Sequence, residues 1–302
     1  PPPTRSKERC CRYASRSSPS LFTNFFFVVR FSFVRFLNRA LQISVAKMQT
    51  VLDAISLIED GWKSQKFKLF AAKLGIPEME LIYQTFLRND TLKSLEIILS
   101  EVQEDHLAAL IKGLQPTPLQ GIKLIHLHLT ERTAIALATA VQASSIRAID
   151  LTYNDIGPRG AIALANALRD SGIESLLLAR NSISVEATQY LAQVLSEGST
   201  CLKALDLSKN NIGDTGVIAL AKALPHTKLE TLLVDMNEIT KVGVAEICKA
   251  VKSTRTLVNL SLGVNNLTDP SAKLIAELIR THPMEKVSVN HNQFTKKGVA
   301  YL

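Results

Sequence analysis

Cysteines and long apolar runs are scarce in this sequence. The chain has 302 residues and four cysteines, and none of the four lies between Cys11 and Cys201. This gap excludes a disulfide framework over most of the chain and favours a reducing, cytoplasmic environment. The composition, with 46% apolar and 21% charged residues, 13 glycines and 11 prolines, also excludes collagen and low-complexity disorder. It is typical of a globular protein.

Outside the first 47 residues, the chain has no excess of positive or negative charge. The formal net charge is +8, but residues 1–47 contain nine Lys/Arg and one acidic residue, Glu8. From Met48 onward, 26 basic residues balance 26 acidic ones. A nucleic-acid-binding or anionic membrane-binding surface needs an excess of positive charge, so we expect neither nucleic acid nor membrane as a partner.

The first 47 residues differ from the rest of the chain. Seven of the eleven phenylalanines lie here, and Arg30 and Arg35 interrupt the apolar run at 21–37, which argues against a signal peptide or a membrane span. The Arg- and Ser-rich, acid-poor composition also fits a mitochondrial transit peptide, which would place the protein in mitochondria. Our preferred interpretation is a disordered, non-native upstream or leader segment translated in frame, with the product beginning at Met48.

A repeat with a period of 27–29 residues dominates the remaining sequence. It is anchored on six asparagines spaced 27, 29, 27, 28 and 27 residues apart. These are Asn154, Asn181, Asn210, Asn237, Asn265 and Asn292. The positions eight, five and three before each asparagine, and two after it, are apolar in all six copies. Such a regular pattern predicts a solenoid of stacked units.

Each unit is predicted to contain a strand, a turn and a helix. Residues five and three before the asparagine alternate with polar ones, as in a strand with one buried face. Apolar residues ten, eleven and fourteen after it share one face of a helix. We therefore predict a right-handed α/β solenoid, with a parallel sheet on the concave side and helices on the convex side.

The repeats are predicted to span residues 92–302. Two degenerate copies come first: 92–114, with Ser100 in the asparagine position, and 124–145, whose turn is about five residues shorter. The total is then about eight. Residues 48–91 are predicted to form a helical N-terminal cap, with helices at 49–59 and after Pro77. No polar cap follows the last repeat, so we expect the C-terminus to be truncated.

The segments LDLSKNNIGDTGVIALAKAL (205–224) and IDLTYNDIGPRGAIALANAL (149–168) resemble the ribonuclease-inhibitor class of leucine-rich repeats. That class includes ribonuclease inhibitor, the Ran GTPase-activating protein, the repeat domains of NOD-like receptors and several bacterial effectors. The resemblance implies a horseshoe in which the asparagine amides bond to the backbone of the neighbouring turn. It does not specify a function, since members of the class differ in what they bind.

A protein-binding concave face is the main functional prediction. Mixed charges with aromatic and methionine side chains are typical of protein interfaces. The residues predicted to bind the partner are Asp150, Tyr153, Arg180, Asp206, Lys209, Asp235 and Met236. Phosphate-loop, nucleophile-elbow, metalloprotease-helix and C-x-x-C motifs are lacking, so we expect no enzyme activity and no cofactor. The simplest alternative is a sheet face that only contacts solvent.

Three other functions compete with this prediction. The chain could regulate an enzyme as the Ran GTPase-activating protein does, or it could be the repeat portion of a NOD-like sensor or bacterial effector. A metal or acid–base site at His126, His128 and Asp150 is the third, since two imidazoles and a carboxylate suit zinc. We expect no metal site, because this spacing of histidines arises easily by chance.

Overall fold

The computed structural model describes residues 65–302 except 71, 143 and 255. The predicted leader at 1–47 and the predicted helix at 49–59 lie outside the described residues. The elements, in chain order, are β1 (Lys66–Phe70), β2 (Lys73–Leu74), α1 (Ile76–Arg88), β3 (Ser94–Ile98), β4 (Glu101–Val102), α2 (Glu104–Gly113), β5 (Gly121–Ile125), α3 (Glu131–Val141), β6 (Ala148–Asp150), α4 (Gly157–Ala167), β7 (Ser175–Leu177), α5 (Val185–Ser196), β8 (Ala204–Asp206), α6 (Gly213–Ala223), β9 (Thr231–Leu233), α7 (Lys241–Lys252), β10 (Asn259–Ser261), α8 (Asp269–Thr281), β11 (Lys286–Ser288) and α9 (Lys296–Val299).

One parallel sheet organises the described part of the chain. Its strand order is β1-β3-β5-β6-β7-β8-β9-β10-β11, and each strand pairs in parallel with the next. A helix follows every strand of this sheet, and β2 and β4 form a small second sheet. This arrangement confirms the predicted α/β solenoid, in which each unit packs against its neighbours.

The core lies between the strands and the helices. The strand residues five before the asparagine, such as Leu176 and Leu205, are fully buried, as are helix residues such as Leu164. Burying one such side chain contributes about 1.5–3 kcal/mol, and no unit can achieve it alone. The periodic apolar columns therefore specify both the fold and its repetition.

The first unit of the solenoid was predicted wrongly as purely helical. Within the predicted cap, Lys66–Phe70 is a strand that pairs in register with Ser94–Ile98, and only then does α1 begin. Phe67 and Leu69 are buried in the same columns as the later leucines. The sheet accordingly has nine strands in the described residues, where the sequence indicated eight repeats.

The unit at 124–145 was also placed in the wrong register. Ile122 pairs with Ile149, so Leu124 lies in the column of Leu151 and Leu127 takes the asparagine position. Leu127 lies 27 residues after Ser100 and 27 residues before Asn154, which is one repeat length from each. The predicted shortening of the turn is therefore wrong, because the unit has its full length and lacks only the asparagine.

Acidic side chains link the first helical turns of successive units. The Glu104 carboxylate accepts hydrogen bonds from the backbone N–H and hydroxyl groups of Thr130 and Thr133. Asp214 binds Thr240 and Gly243 in the same way, and Asp269 binds Thr295. A carboxylate at a helix N-terminus satisfies free N–H groups and interacts favourably with the helix dipole.

Glu104→Gln is expected to weaken the dependence of the melting temperature on pH at acid pH. Burial raises the pKa of Glu104, but its four hydrogen bonds outweigh this and hold the pKa below its usual value of 4.5. The folded-state pKa is depressed, so the charged carboxylate stabilises the fold above pH 4.5. That contribution is lost as the pH falls below this value. Melting temperatures between about pH 3 and pH 6 measure the effect.

Glu131→Gln is the matched control for this prediction. Glu131 occupies the same column in the next unit, but among the described residues its carboxylate pairs only with the exposed Arg159, at 3.6 Å. Exposed ion pairs contribute little, so this variant should keep the acid-dependent loss of stability of the parent. If both variants weakened the pH dependence of the melting temperature equally, the role assigned to Glu104 would be wrong.

Candidate interaction surface

The candidate surface is the face of the sheet opposite the buried columns, together with the residues at the strand ends. We call it the open face. It comprises the residues four, two and one before each asparagine position, which alternate with the buried leucines. All seven predicted partner-binding residues lie on it, because each occupies one of these three columns.

The residue before each asparagine position adopts a left-handed backbone conformation. We call this column the edge row. Its members, with φ between 49° and 61°, are Leu99, His126, Tyr153, Arg180, Lys209, Met236, Val264 and His291. Residues other than glycine rarely adopt this conformation, and it costs about 1 kcal/mol or more each. The edge row is therefore a constrained series of positions that other contacts must hold in place.

The asparagine side chains supply these contacts. Oδ1 of Asn154 accepts hydrogen bonds from the backbone N–H groups of Leu127 and Leu129, at 3.0 and 3.1 Å. Its Nδ2 donates to the carbonyl oxygens of Leu124 and Leu151, at 2.7 and 2.8 Å. The other five asparagines make equivalent bonds to the preceding turn. Each amide thus binds the turn that carries the edge row.

Ser100 replaces the asparagine in the second unit. Its hydroxyl accepts a hydrogen bond from the backbone N–H of Ala72 at 3.1 Å and donates to the carbonyl oxygen of Ile98 at 3.0 Å. The serine therefore performs part of the same task with a shorter side chain. This agrees with its predicted place in the asparagine column.

Two predicted residues of the edge row, Arg180 and Lys209, lie against the ring of a third, Tyr153. The guanidinium carbon of Arg180 lies 4.6 Å from the centre of the Tyr153 ring, and Lys209 Nζ lies 5.6 Å from it. The His126 ring stacks near Tyr153 with centroids 6.0 Å apart and an interplanar angle of 22°. We call these four residues the Tyr153 cluster. Cation–π attraction holds the basic groups over the partly exposed ring.

Three predicted acidic residues lie beside the edge row, two at the ends of strands and Asp235 two residues after β9. Asp150 is 9% exposed, accepts the Thr152 N–H and lies 3.8 Å from Lys123 Nζ. Asp235 accepts hydrogen bonds from Ser261 and Gly263. These two carboxylates are therefore already engaged by groups of the protein.

Asp206 is in a different electrostatic environment. Burial raises the pKa of Asp206, the nearby charges of Asp235 and Asp150 raise it further, and hydrogen bonds from Ser208 act against them. Among the described residues, no basic side chain forms an ion pair with Asp206. A cation supplied by a partner would find a partly desolvated carboxylate here.

Met236 continues the edge row beyond Lys209 and is 41% exposed, close to the 39% of Tyr153. Partly exposed side chains of this type combine large contact area with adaptable packing.

Sequence reasoning missed a second apolar region at the other end of the open face. Phe70 and Leu99 are 58% and 46% exposed there, and Ile98 and Ile125 are half-buried.

The structure does not assemble the candidate metal residues. His126 and His128 lie in the turn after β5, both with positive φ, and not on a strand. Asp150 is paired in register with Lys123, while His128 Nδ1 lies 3.8 Å from Asp155. In the described part of the chain, no three His, Cys, Asp or Glu side chains form a group able to hold a metal. The hypothesis depended on the incorrect register of this unit.

The two described cysteines have different surroundings. Cys248 is buried in α7, and burial raises the pKa of its thiol to about 11, so little reactive thiolate forms at neutral pH. Cys201 is half-buried. The Cys248 environment agrees with the packing role predicted for this helix column.

Comparisons with known proteins support the repeat assignment. The family model for the Leucine Rich repeat matches residues 142–165 and 198–221. No curated protein sequence matches significantly. Among the residues that the structure describes, no helix has the length and apolar character needed to span a bilayer.

Two solved structures align with this chain at low similarity. Leiomodin-1 Actin-Binding Site 2 is 16% identical and aligns with 60% of this chain and 89% of its own, with a TM-score of 0.36. An internalin (inlF) from Listeria monocytogenes is 14% identical and aligns with 85% of this chain and 92% of its own, with a TM-score of 0.40. Similarity at this level does not bear on function. The described part of the chain is a solenoid of strand–helix units, two segments of which match the Leucine Rich repeat.

Proposed function

We propose that this protein is a non-enzymatic interaction module that binds a protein partner on the open face. The observation that carries the proposal is the Tyr153 cluster. A partly exposed aromatic ring, two basic groups and the adjacent Met236 lie on a rigid edge beside a partly buried carboxylate, Asp206. Tyrosine and arginine dominate the energetics of protein interfaces, and methionine is also enriched there.

The nature of the partner follows from the balance of charges. Acidic and basic residues alternate on this face, and from Met48 onward 26 basic residues balance 26 acidic ones. This favours a protein over nucleic acid or a membrane surface. We also assign the repeats to the ribonuclease-inhibitor class from their spacing, and we place the protein in the cytoplasm because the sequence has no cysteine between Cys11 and Cys201.

The test is affinity capture with a double truncation, Tyr153→Ala with Met236→Ala. Both side chains are partly exposed, so their removal should change stability little. If they contact the partner, the affinity should fall at least about tenfold, as expected for the loss of hot-spot residues. The captured protein is identified by mass spectrometry and its affinity for the purified chain is then measured directly.

The matched control is Ile135→Ala with Ile279→Ala. These side chains are 47% and 43% exposed and lie on helices α3 and α8, away from the open face. The control removes similar apolar area and should keep the affinity of the parent. Loss of the partner in the control but not in the Tyr153 and Met236 variant would overturn the proposal, since recognition would then involve the helices.

A further inference from the structure

Two basic side chains of the Tyr153 cluster converge without an acidic partner. Arg180 and Lys209 come from consecutive units, yet both heads lie within 6 Å of the same ring centre. Some other cations of the described structure pair with carboxylates, including Arg169 with Glu197 at 2.7 Å and Lys203 with Glu174 at 2.8 Å. Among the described residues, neither Arg180 nor Lys209 forms such a pair.

The backbone holds these two residues in place. The Arg180 N–H donates to the Ser208 carbonyl oxygen at 2.8 Å, and the Lys209 N–H donates to that of Asp235 at 2.7 Å. Both residues have left-handed φ values, 54° and 55°. The N–H of the asparagine after each of them donates to Oδ1 of the asparagine in the next unit, at 3.0 and 3.2 Å. The backbone therefore presents both positive groups toward the same ring, and an anion placed between them would reduce their mutual repulsion.

The chemistry of the cluster identifies the anion. A guanidinium that lies over a ring still presents its in-plane N–H groups, which match two oxygens of one anion, and the lysine ammonium can donate to a third. A phosphate monoester has three terminal oxygens and a charge near −2, which equals the combined charge of the two side chains. A carboxylate has two oxygens and neutralises only half of this charge.

We propose that the Tyr153 cluster binds a phosphorylated side chain of the protein partner. This proposal rests on the proposed function, because the phosphate is presented by the protein bound on the open face. The carboxylates of Asp150, Asp206 and Asp235 repel the phosphate from the strands and confine it to the edge row. They favour a basic residue of the partner next to the phosphorylated one.

The direct test is a titration of the full chain with small capped amino acids at constant ionic strength. The probes are N-acetyl-O-phosphoserine amide and N-acetyl-aspartate amide, and the readouts are the NMR shifts of the Arg180 side-chain N–H and of the Tyr153 and Lys209 amides. We expect saturable shifts with phosphoserine and at least about tenfold weaker binding of aspartate, since the carboxylate loses a charge-assisted hydrogen bond.

Two double variants make this test specific. Arg180→Gln with Lys209→Gln should weaken phosphoserine binding at least about tenfold. Arg132→Gln with Lys249→Gln removes the same charge from exposed positions on α3 and α7 and should bind like the parent. No saturable shift, equal binding of aspartate, or unchanged binding by the Arg180 and Lys209 variant would overturn the phosphate site.

A second arm connects the site with the macromolecular partner. Phosphatase treatment of the lysate before capture should abolish retention of the partner by the parent chain. If the partner is still captured after treatment, and is still lost with the Tyr153 and Met236 truncation, the phosphate proposal is wrong while the protein-binding face stands. The experiment therefore distinguishes failure of the phosphate proposal from failure of the proposed protein-binding face.

Discussion

Asn181→Leu is expected to lower the free energy of unfolding by about 3 kcal/mol or more. Asn181 is fully buried; its Nδ2 donates to the carbonyl oxygens of Leu151 and Ala179, and its Oδ1 accepts the Ile156 N–H. The substitution leaves three backbone groups without these partners, at about 1–3 kcal/mol each when buried. Leu127 occupies the same column, so leucine fits in space and the cost comes from lost hydrogen bonds.

Urea unfolding of the full chain measures this loss, and Asn292→Leu is the matched control. Asn292 belongs to the last described unit, is half-buried and makes the same type of bonds, to Leu262 and Val289 among others. Water can reach the groups it leaves, so the control should cost about 1 kcal/mol or less. Equal losses in both variants would show that burial of the amide ladder does not set its energetic value.

Phe67→Ala is expected to cost about 3–5 kcal/mol in the stability of the first described unit. Phe67 is 1% exposed on β1, and its ring meets that of Phe86 edge to face, with centroids 5.9 Å apart. Removing the ring leaves a cavity between β1 and α1. Because terminal units of a solenoid can unfold separately, hydrogen exchange of the β1 and β3 amides is the appropriate measurement.

Phe70→Ala is the control for the truncation on β1. Phe70 lies on the same strand but is 58% exposed, so its removal creates no cavity and should leave the exchange of β3 amides unchanged. If Phe67→Ala also left that exchange unchanged, β1 would not be an integral strand of the sheet. The helical cap inferred from the sequence would then be the better description.

The sequence predicted the repeats well wherever the asparagine was present. Between 146 and 276, the apolar columns identify the buried residues, the strands and the helices, because period 2 and period 3.6 patterns recur at fixed offsets. In the last unit the same columns are only half-buried. The two errors occurred where the asparagine was replaced. Ala72 and Leu127 occupy its position in the first and third described units, so the alignment lost its anchor and moved or missed a strand.

The candidate surface was predictable in part. Alternation along the strands places Asp150, Asp206 and Asp235 on the open face without a structure. The convergence of Arg180 and Lys209 on Tyr153 was not predictable, because it depends on the left-handed turns and on the stacking of three units. The histidine pair was misassigned because the sequence alignment did not recognise Leu127 in the asparagine position. His126 and His128 therefore lie in the turn and not on the strand.

The central claim is that the partner covers the open face, and hydroxyl-radical footprinting of the purified complex tests it most directly. Tyr153 and Met236 are 39% and 41% exposed in the chain alone, and Tyr301, near the C-terminus of the sequence, is 40% exposed and serves as an internal control. We expect oxidation of Tyr153 and Met236 to fall sharply on binding while that of Tyr301 stays constant. Unchanged oxidation of Tyr153 and Met236 in a saturated complex would contradict the account.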